Sequence, residues 1–202
     1  MKLYYSPGAC SLSPHIVARE AGIAIELEKV DLGKHTTEKG DDYMKVNPKG
    51  YVPALRLDDG SILTEGPAIV QYLADQKPAT KLAPAAGTMD RYRLQEALAF
   101  IGTELHKNFG PLFNPATPDA AKETAKANII KRVAYLNDQL GKKQYLLGDT
   151  FTVADAYAFT ILNWANFLRM DLKPYANIGA YMARVGARPK VQEALRTEGL
   201  LK

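Results

Sequence analysis

The chain has 202 residues, a formal net charge of +4 and a single cysteine. This length suits one or two domains that bury a core without disulfides. One cysteine permits no internal disulfide and favours a reducing, cytoplasmic setting. Acidic residues are interspersed among the lysines and arginines, so no basic stripe predicts nucleic-acid binding. The longest apolar stretch, residues 156–168, is too short to span a membrane.

The first predicted elements surround the only cysteine. Residues 3–5 predict a strand, Pro7-Gly8 a turn and residues 11–21 a helix. At a helix N-terminus, Cys10 would feel unpaired N–H groups and the helix dipole, which both favour the thiolate. The alternative is that a lone cysteine is a small buried hydrophobic residue. Its position after a strand and a turn favours a reactive, partly exposed thiol with a depressed pKa.

The next segments complete a compact α/β unit. Residues 25–30 alternate apolar and charged side chains, as a half-exposed strand does. Pro53 directly precedes a strand at residues 54–57, where its missing N–H is tolerated. Asp58-Asp59-Gly60 predicts a hairpin turn to a returning strand and a helix, at residues 62–64 and 68–76. We therefore predict a first domain over residues 1–77.

Residues 78–87 have the composition of a linker, and residues 88–202 predict an all-helical second domain. The first helix of this domain is expected over residues 88–109. Thr152 and Asp155 have the spacing of a capping box for a later helix. That helix is apolar almost all round at residues 156–168, which predicts the buried central helix of the domain.

Particular motifs of the chain resemble those of the cytosolic glutathione transferases, and within them the bacterial beta class. The motifs span nearly the whole chain: Tyr5, Pro7-Gly8-Ala9-Cys10-Ser11, His15, Asn47-Pro48-Lys49-Gly50, Val52-Pro53-Ala54-Leu55, Asp58-Asp59-Gly60, Leu63-Thr64-Glu65-Gly66, Glu104-Leu105-His106-Lys107 and Ala154-Asp155-Ala156-Tyr157. The resemblance implies a thioredoxin-like α/β N-terminal domain, followed by an all-α helical-bundle domain that contributes an electrophile pocket.

The resemblance also implies a binding site for the tripeptide glutathione. Its expected residues are Cys10, His35, Tyr51, Val52, Pro53, Glu65, Gly66 and Glu104. Val52, before a proline that the family implies to be cis, can pair its backbone with the ligand as an added strand does. Glu65 can hold the amino group, and the helix that begins there can take a carboxylate. The alternative for Glu65 is an ordinary first-turn acid that stabilises the helix dipole.

The expected catalytic residues are Cys10, Tyr5, Ser11 and His106, with the two hydroxyl groups as alternative stabilisers of a thiolate. A lone histidine near a helix end is more often a surface or dipole-compensating residue, and the resemblance places His106 beside the sulfur. The expected electrophile pocket is Phe109, Leu112, Phe113 and Trp164, whose periodicity alone favours core. His15 is interpreted as structural.

Two positions depart from the beta-class pattern. His35 stands where a lysine often lies near the glycine carboxylate of the ligand, although Lys34 is adjacent. Ala99 stands where an asparagine often reaches across a dimer. Either departure weakens an expected contact with glutathione.

The chain is therefore expected to be a cytoplasmic, homodimeric glutathione transferase. It would join glutathione, its cosubstrate, to apolar electrophiles, with Cys10-dependent thiol–disulfide exchange or reductive dehalogenation as a second activity. The alternative is a non-catalytic relative that acts as a ligand carrier or interaction protein. The histidines and cysteine show no metal-ligand spacing, so no metal is expected.

Overall fold

The computed structural model describes residues 1–201. Its strands and helices are, in chain order, β1 Lys2–Tyr5, α1 Leu12–Glu20, β2 Glu26–Asp31, β3 Thr36–Thr37, β4 Ala54–Arg56, β5 Ile62–Thr64, α2 Gly66–Asp75, α3 Met89–Phe100, α4 Lys107–Phe113, α5 Asp119–Leu140, α6 Val153–Phe167, α7 Ala176–Gly186 and α8 Pro189–Thr197. Short 3₁₀ turns occupy Tyr43–Lys45 and Pro78–Thr80, and a π-helical turn occupies Ile101–His106. Within these described residues, no helix is both long and apolar enough to cross a membrane.

The chain forms two compact units. Unit 1 contains residues 1–83 and 187–201, and unit 2 contains residues 84–186. The sequence predicts a different division, with residues 88–202 in one helical domain. In the structure, α8 packs on α1 of unit 1. The guanidinium of Arg188 forms two hydrogen bonds to the Glu20 carboxylate, at 2.7 and 2.8 Å, which fix the start of α8 there.

Unit 1 is built on a five-stranded sheet with the order β3-β2-β1-β4-β5. β1 is parallel to β2 and antiparallel to β4, so Leu3 lies opposite both Leu27 and Leu55. β4 and β5 form the hairpin that the Asp-Asp-Gly sequence predicts, with Gly60 at a φ of 87°. The parallel strand–helix–strand start, followed by a hairpin and a helix, confirms the thioredoxin-like fold predicted for this unit.

Side chains alternate between the two faces of this sheet because the side-chain period of a strand is two residues. Leu3 and Leu55 are fully buried. On the other face Tyr4 packs in a buried cluster with Val30, Tyr43, Val52 and Ala54. The cluster connects the first strand to the segment that precedes Pro53, so packing fixes the position of that segment.

Unit 2 is all-helical, as predicted, and its centre is α6. Twelve of the fifteen residues of α6 are buried, which confirms the prediction of a buried central helix. The capping box at its start is also confirmed, because Asp155 Oδ2 accepts hydrogen bonds from the Thr152 N–H and hydroxyl at 2.8 and 3.0 Å.

The helix expected at residues 88–109 differs from the structure in two ways. It contains a π-helical turn at Ile101–His106, and it continues past Gly110 to Phe113. Pro111 lies inside this last segment, where its missing N–H removes one intrahelical hydrogen bond, and the helix ends two residues later. π-helical turns are rare and occur frequently at functional sites. This one contains Glu104 and His106, both expected site residues.

Candidate active site

The thiol of Cys10 lies in the loop between β1 and α1, beside the segment that precedes Pro53. Cys10 is partly exposed, as predicted, and its Sγ–H donates a hydrogen bond to the carbonyl of Val52 at 3.2 Å. The loop turns tightly enough for the Ala9 N–H to donate to the Ser6 carbonyl at 3.0 Å, and Gly8 has a φ of 72°. The hydrogen bond to Val52 and the tight turn before Cys10 therefore fix the position of the thiol.

The prediction of a depressed pKa for Cys10 is wrong in this structure. Burial of the sulfur raises the pKa of the Cys10 thiol to about 12, against a smaller lowering by the backbone N–H groups of Cys10 and Ser11. The carboxylate of Glu65 adds a small further rise. The loss of hydration therefore raises the pKa of Cys10 more than the N–H groups at the helix terminus lower it, and the prediction considered only the second effect. Near neutral pH the group is a protonated thiol that can donate a hydrogen bond.

We expect Cys10 to react slowly with iodoacetamide at pH 8, at least tenfold more slowly than free glutathione. A thiol with this pKa contains far less thiolate than an ordinary one, since each pKa unit is a tenfold change. Intact-protein mass spectrometry measures the rate directly, because Cys10 is the only cysteine. The rate should rise with pH and recover in denaturant. Alkylation of the folded protein at the rate of a free thiol would contradict the raised pKa.

Two hydroxyl groups lie near this loop. The Ser11 hydroxyl is buried, donates to the Ser6 carbonyl at 3.2 Å and accepts from the Ser6 N–H at 3.1 Å, so it closes the turn. Tyr5 is partly buried, and burial, with smaller contributions from Glu198 and Glu38, raises the pKa of its phenol. Tyr5 therefore remains a protonated donor at neutral pH, whereas the Ser11 proton is already engaged.

The segment before β4 presents backbone groups at this site. The peptide bond between Val52 and Pro53 is cis, as the family resemblance implies. The carbonyl of Tyr51 accepts hydrogen bonds from Tyr43 Oη and Asn47 Nδ2, at 3.0 and 2.7 Å. The N–H of Val52 donates no hydrogen bond to any residue between 1 and 201. A ligand with an extended backbone can pair with this N–H.

Glu65 lies at the N-cap of α2 in a backbone conformation that non-glycine residues seldom adopt, with a φ of 71°. Such conformations cluster at ligand-binding sites. Its Oε1 accepts hydrogen bonds from Lys49 Nζ at 2.5 Å and from Tyr51 Oη at 3.0 Å. The carboxylate is about half exposed and therefore accessible to a ligand. Gly66, the first residue of α2, is buried next to Pro53.

His35 is exposed and also has a positive φ, of 52°. Its imidazole lies against Gly50, where a side-chain Cβ would approach the ring carbon Cε1 to 3.1 Å. Gly50 itself has a φ of 74°. Both features favour glycine at position 50, and the contact with Gly50 places His35 beside the segment that carries Tyr51 and Val52.

His106 belongs to an aromatic cluster within unit 2. Its Nδ1 lies 2.6 Å from the hydroxyl oxygen of Tyr157, and its ring meets that of Trp164 edge-on at 4.9 Å. Phe109 and Phe113 also contact Trp164 edge-on, at 5.6 and 5.3 Å. Phe109 is fully buried, Trp164 nearly so, and Phe113 is about half exposed, while the neighbouring Leu112 is partly buried. Three of the four expected pocket residues therefore form one aromatic surface with His106.

Glu104 and Ala99 lie one turn apart in the same helical segment. The carboxylate of Glu104 forms an ion pair with Arg132 of the same chain, at 2.5 Å to Nη2 and 2.7 Å to Nε. Ala99 is exposed. Glu104 therefore already has one cationic partner in its own chain.

Sequence reasoning missed the role of Glu198 in holding the Cys10 loop. Its Oε2 accepts a hydrogen bond from the Gly8 N–H at 3.0 Å, and its Oε1 lies 2.9 Å from Nδ1 of the buried His15. The burial of His15 and its contact with Glu198 agree with the interpretation of His15 as a structural residue. No local sequence signal marks this contact, because the two partners are separated by 190 residues. Lys49, the ion-pair partner of Glu65, was also missed as a member of the site.

Among residues 1–201, no group of three or more histidine, cysteine, aspartate or glutamate side chains is arranged to hold a metal ion. The site therefore consists of a thiol, a backbone edge, a carboxylate with its cationic partner and a helix N-terminus.

These features define the class of protein: a thioredoxin-like unit with a thiol after its first strand and a cis-proline before its third. Comparisons agree with this class. Models for the N-terminal and C-terminal domains of glutathione S-transferase match residues 8–76 and 100–189. The chain is 50% identical to glutathione S-transferase GstA of Escherichia coli O157:H7, over 99% of this chain and all of the relative.

Two solved structures extend the comparison. The ternary complex of BphK, a bacterial glutathione S-transferase, is 56% identical with a TM-score of 0.98, over 99% of this chain and 100% of the other. A beta-class enzyme of Sphingomonas chungbukensis is 49% identical with a TM-score of 0.97, over the full length of both chains. The chain therefore belongs to the glutathione S-transferase family, in its bacterial beta class. It is a glutathione transferase, and glutathione is its cosubstrate.

Proposed function

We propose that this protein conjugates the sulfur of glutathione to apolar electrophiles, and that Cys10 acts in this reaction as a hydrogen-bond donor. The observation that carries the proposal is the placement of the Cys10 thiol against the Val52 carbonyl, with the Val52 N–H unpaired among the described residues. An extended peptide that pairs with Val52 would bring its own sulfur next to this thiol.

Charged groups in unit 1 suit the ends of the tripeptide. Glu65 would accept the amino group of its γ-glutamyl residue, and the N-terminus of α2 at Gly66 would bind the adjacent carboxylate. His35, with Lys34, would take the carboxylate of its glycine. Binding at three points orients the sulfur, and orientation is a major part of catalysis in a reaction between two molecules.

The raised pKa of Cys10 supports a donor role. When glutathione is bound, the Cys10 S–H would turn from the Val52 carbonyl, to which it donates at 3.2 Å, toward the glutathione sulfur. A hydrogen bond donated to that sulfur favours the ionised, nucleophilic form of glutathione. Tyr5 can assist, because its phenol is also protonated at neutral pH. The carbon atom of the electrophile then receives the sulfur electron pair, and its leaving group departs.

The aromatic surface of unit 2 supports an apolar second substrate. We assign the electrophile to the accessible side chains Leu112 and Phe113, which the buried rings of Phe109 and Trp164 support from behind, with His106 beside them. Phe113 offers the most accessible ring, since about half of it is exposed. Aromatic surfaces of this kind bind planar apolar groups through edge-to-face contacts.

The conjugation proposal is tested by turnover of an aryl halide with glutathione, after retention on immobilised glutathione. We expect Cys10→Ser to keep most of the wild-type rate, and Cys10→Ala to lose up to about tenfold, since only serine keeps a donor. Retention without turnover in the wild-type protein would contradict the proposal. A complete loss of turnover in Cys10→Ser would show that the sulfur itself is essential.

We propose thiol–disulfide exchange as a second activity, because Cys10 is a partly exposed free thiol at the same site. The minor thiolate fraction of Cys10, small at neutral pH because of the raised pKa, would attack glutathione disulfide slowly. This attack releases one glutathione and leaves a mixed disulfide. A second glutathione would then reduce this bond. For a halogenated adduct of glutathione, attack on the adduct sulfur would release the protonated carbon product and leave the same mixed disulfide. Mass spectrometry that finds no glutathione adduct on Cys10 in glutathione disulfide would refute both routes.

We further propose that the protein is a homodimer in which Glu104 reaches the glutathione of the partner protomer. Closed two-fold dimers are the commonest soluble oligomers. The ion pair with Arg132 would hold the Glu104 carboxylate in a fixed direction.

Glu104→Gln is expected to weaken glutathione binding several-fold without changing the molecular mass measured by light scattering. Glu123→Gln, an exposed change on α5 whose carboxylate pairs only with Lys126 one turn away, is the matched control and should change neither. A monomer mass for the wild-type protein at micromolar concentration would refute the dimer. Unchanged glutathione affinity in the dimeric variant would refute only the contact across the dimer.

We also propose a cytoplasmic location. The proposed chemistry needs reduced glutathione and a reduced Cys10, and both persist in a reducing compartment. Cell fractionation with an antibody to the protein tests this assignment, and recovery in an oxidising compartment would contradict it.

A further inference from the structure

The Lys49 ammonium lies against the carboxylate that is proposed above to hold the amino group of glutathione. Its Nζ is 2.5 Å from Glu65 Oε1 and donates a hydrogen bond to the Thr64 hydroxyl at 3.0 Å. It also lies over the Tyr51 ring, 5.9 Å from the ring centroid. These neighbours, which come from two segments of unit 1, hold the ammonium beside the proposed position of the ligand.

The backbone of Lys49 is fixed by a tight turn. The Gly50 N–H donates to the Asn47 carbonyl at 2.9 Å, and the Lys49 N–H donates to the side-chain oxygen of Asn47 at 3.2 Å. The amide group of the same buried asparagine donates to the Tyr51 carbonyl at 2.7 Å. Asn47 therefore connects the backbone of Lys49 to the segment that presents the Val52 N–H.

The Lys49 side chain is a cation that a ligand can reach. Its hydrogen bond to Glu65 raises the pKa of the ammonium, against a smaller lowering by loss of hydration. The group therefore stays charged at neutral and mildly alkaline pH. The side chain is about half exposed. An ammonium carries three N–H donors, so a carboxylate that arrives from solvent can pair with it.

The γ-glutamyl end of glutathione carries an ammonium and a carboxylate on the same carbon atom. Glu65 by itself suits only the ammonium, because like charges that are brought together repel each other. The Lys49 ammonium beside Glu65 offsets this repulsion. The four charges would then alternate in sign, from Glu65 to the ligand ammonium, the ligand carboxylate and Lys49.

The N-terminus of α2, which is proposed above to bind the same carboxylate, carries a partial charge of only about +0.5. The first turn of this helix, residues 66–69, contains no basic side chain. Lys49 adds a full charge on a flexible stem that can follow the position of the ligand. It therefore supplies the side-chain cation that the helix terminus lacks.

We infer that Lys49 binds the α-carboxylate of the γ-glutamyl residue and so makes the site specific for a ligand end that carries both charges. The inference rests on the proposed function and adds to it a specificity-determining residue. Ion pairs between exposed groups contribute modestly to binding, so we expect the loss of this contact to weaken binding about three- to fivefold.

The test is isothermal titration calorimetry of the full chain with two ligands. They are the S-hexyl derivatives of glutathione and of 4-aminobutyryl-cysteinyl-glycine, which lacks only the α-carboxylate. Lys49→Met should weaken binding of the glutathione derivative about three- to fivefold and change binding of the analogue by less than about twofold. The loss should diminish at about 1 M salt, because salt screens exposed charges.

Two further variants separate the charge of Lys49 from its place in the structure. Lys49→Arg keeps a cation and should bind the glutathione derivative within about twofold of the wild-type affinity. Lys190→Met is the matched control, because Lys190 is also a half-exposed lysine of unit 1 that pairs with a carboxylate, that of Glu193. It should change the affinity for neither ligand. Melting temperatures confirm that each variant is folded.

Three results with Lys49→Met would overturn the inference. Equal weakening of both ligands would show that Lys49 only supports the Glu65 carboxylate. Tighter binding of the glutathione derivative would show that Lys49 competes with the ligand ammonium for Glu65. Unchanged affinity would remove Lys49 from the site. Each of these results leaves the conjugation proposal intact, whereas failure of the wild-type protein to bind the glutathione derivative would refute both.

Discussion

Replacing Glu65 with glutamine is expected to raise the KM for glutathione by roughly 10- to 30-fold and to change kcat much less. The carboxylate is the proposed partner of the ligand's amino group. Because it is about half exposed, its loss is expected to cost about 1.4–2 kcal/mol, the low end for one member of a charged pair. Glutamine preserves the size of the side chain, so α2 should keep its start. Steady-state kinetics with glutathione as the varied substrate measures the effect.

Tyr51→Phe keeps the backbone groups of Tyr51 at the site and separates the charge of the Glu65 carboxylate from its hydrogen bond with the phenol. It removes the hydroxyl that donates to Glu65 Oε1 at 3.0 Å but leaves the carboxylate charge and the Lys49 ion pair in place. We expect a KM within threefold of the wild-type value. If Glu65→Gln leaves KM unchanged and lowers the melting temperature instead, Glu65 is a helix-capping residue and the alternative interpretation is correct.

The largest loss of stability is expected from Asp155→Ala. This buried carboxylate accepts hydrogen bonds from the Leu146 N–H, from the Thr152 N–H and hydroxyl, and from the Tyr181 hydroxyl. Removing it leaves several buried donors without an acceptor, at about 1–3 kcal/mol for each one that cannot find another partner. We therefore expect the free energy of unfolding to fall by about 3 kcal/mol or more, which exceeds the ~1 kcal/mol typical of a lost cap.

Chemical denaturation of the wild-type and variant proteins measures this loss. Asp119→Ala is the control: Asp119 also begins a long helix, but it is fully exposed and its nearest cation, Lys122, is 4.0 Å away. The free energy of unfolding of this control should fall by no more than about 1 kcal/mol, the contribution of an exposed first-turn acid. An Asp155→Ala protein with wild-type stability and no activity would contradict the structural role.

Much of the fold could be predicted because local and global signals agree. The Asp-Asp-Gly turn, the Pro53 position and the apolar interior of α6 each have one physical interpretation, and each is confirmed. The π-helical turn was missed, since neither periodicity nor propensity distinguishes it from the α-helix on either side. The packing of α8 on α1 was also missed, because it depends on pairs such as Arg188 and Glu20 that are far apart in sequence.

The candidate site likewise has features that the sequence could predict and features that it could not. Residue types and the family resemblance were sufficient to place Cys10, Val52 and Glu65 in one unit. The direction of the Cys10 pKa was wrong because the sequence reveals the helix terminus but not the depth of burial, and burial has the larger effect here. Lys49 lies in an ordinary turn, so its contact with Glu65 could be recognised only from the packing around it.

The return of the last helix to unit 1 has a consequence for the order in which a ribosome completes this molecule. The first 83 residues emerge early, yet Glu198, which holds Gly8 beside the thiol, is made only after all of unit 2. At typical rates of synthesis, roughly 5–20 s separate the two events. During that interval the loop that carries Cys10 has been made but still lacks its distant anchor. The nascent chain should therefore fix the loop that carries Cys10 late, although that loop is encoded almost first.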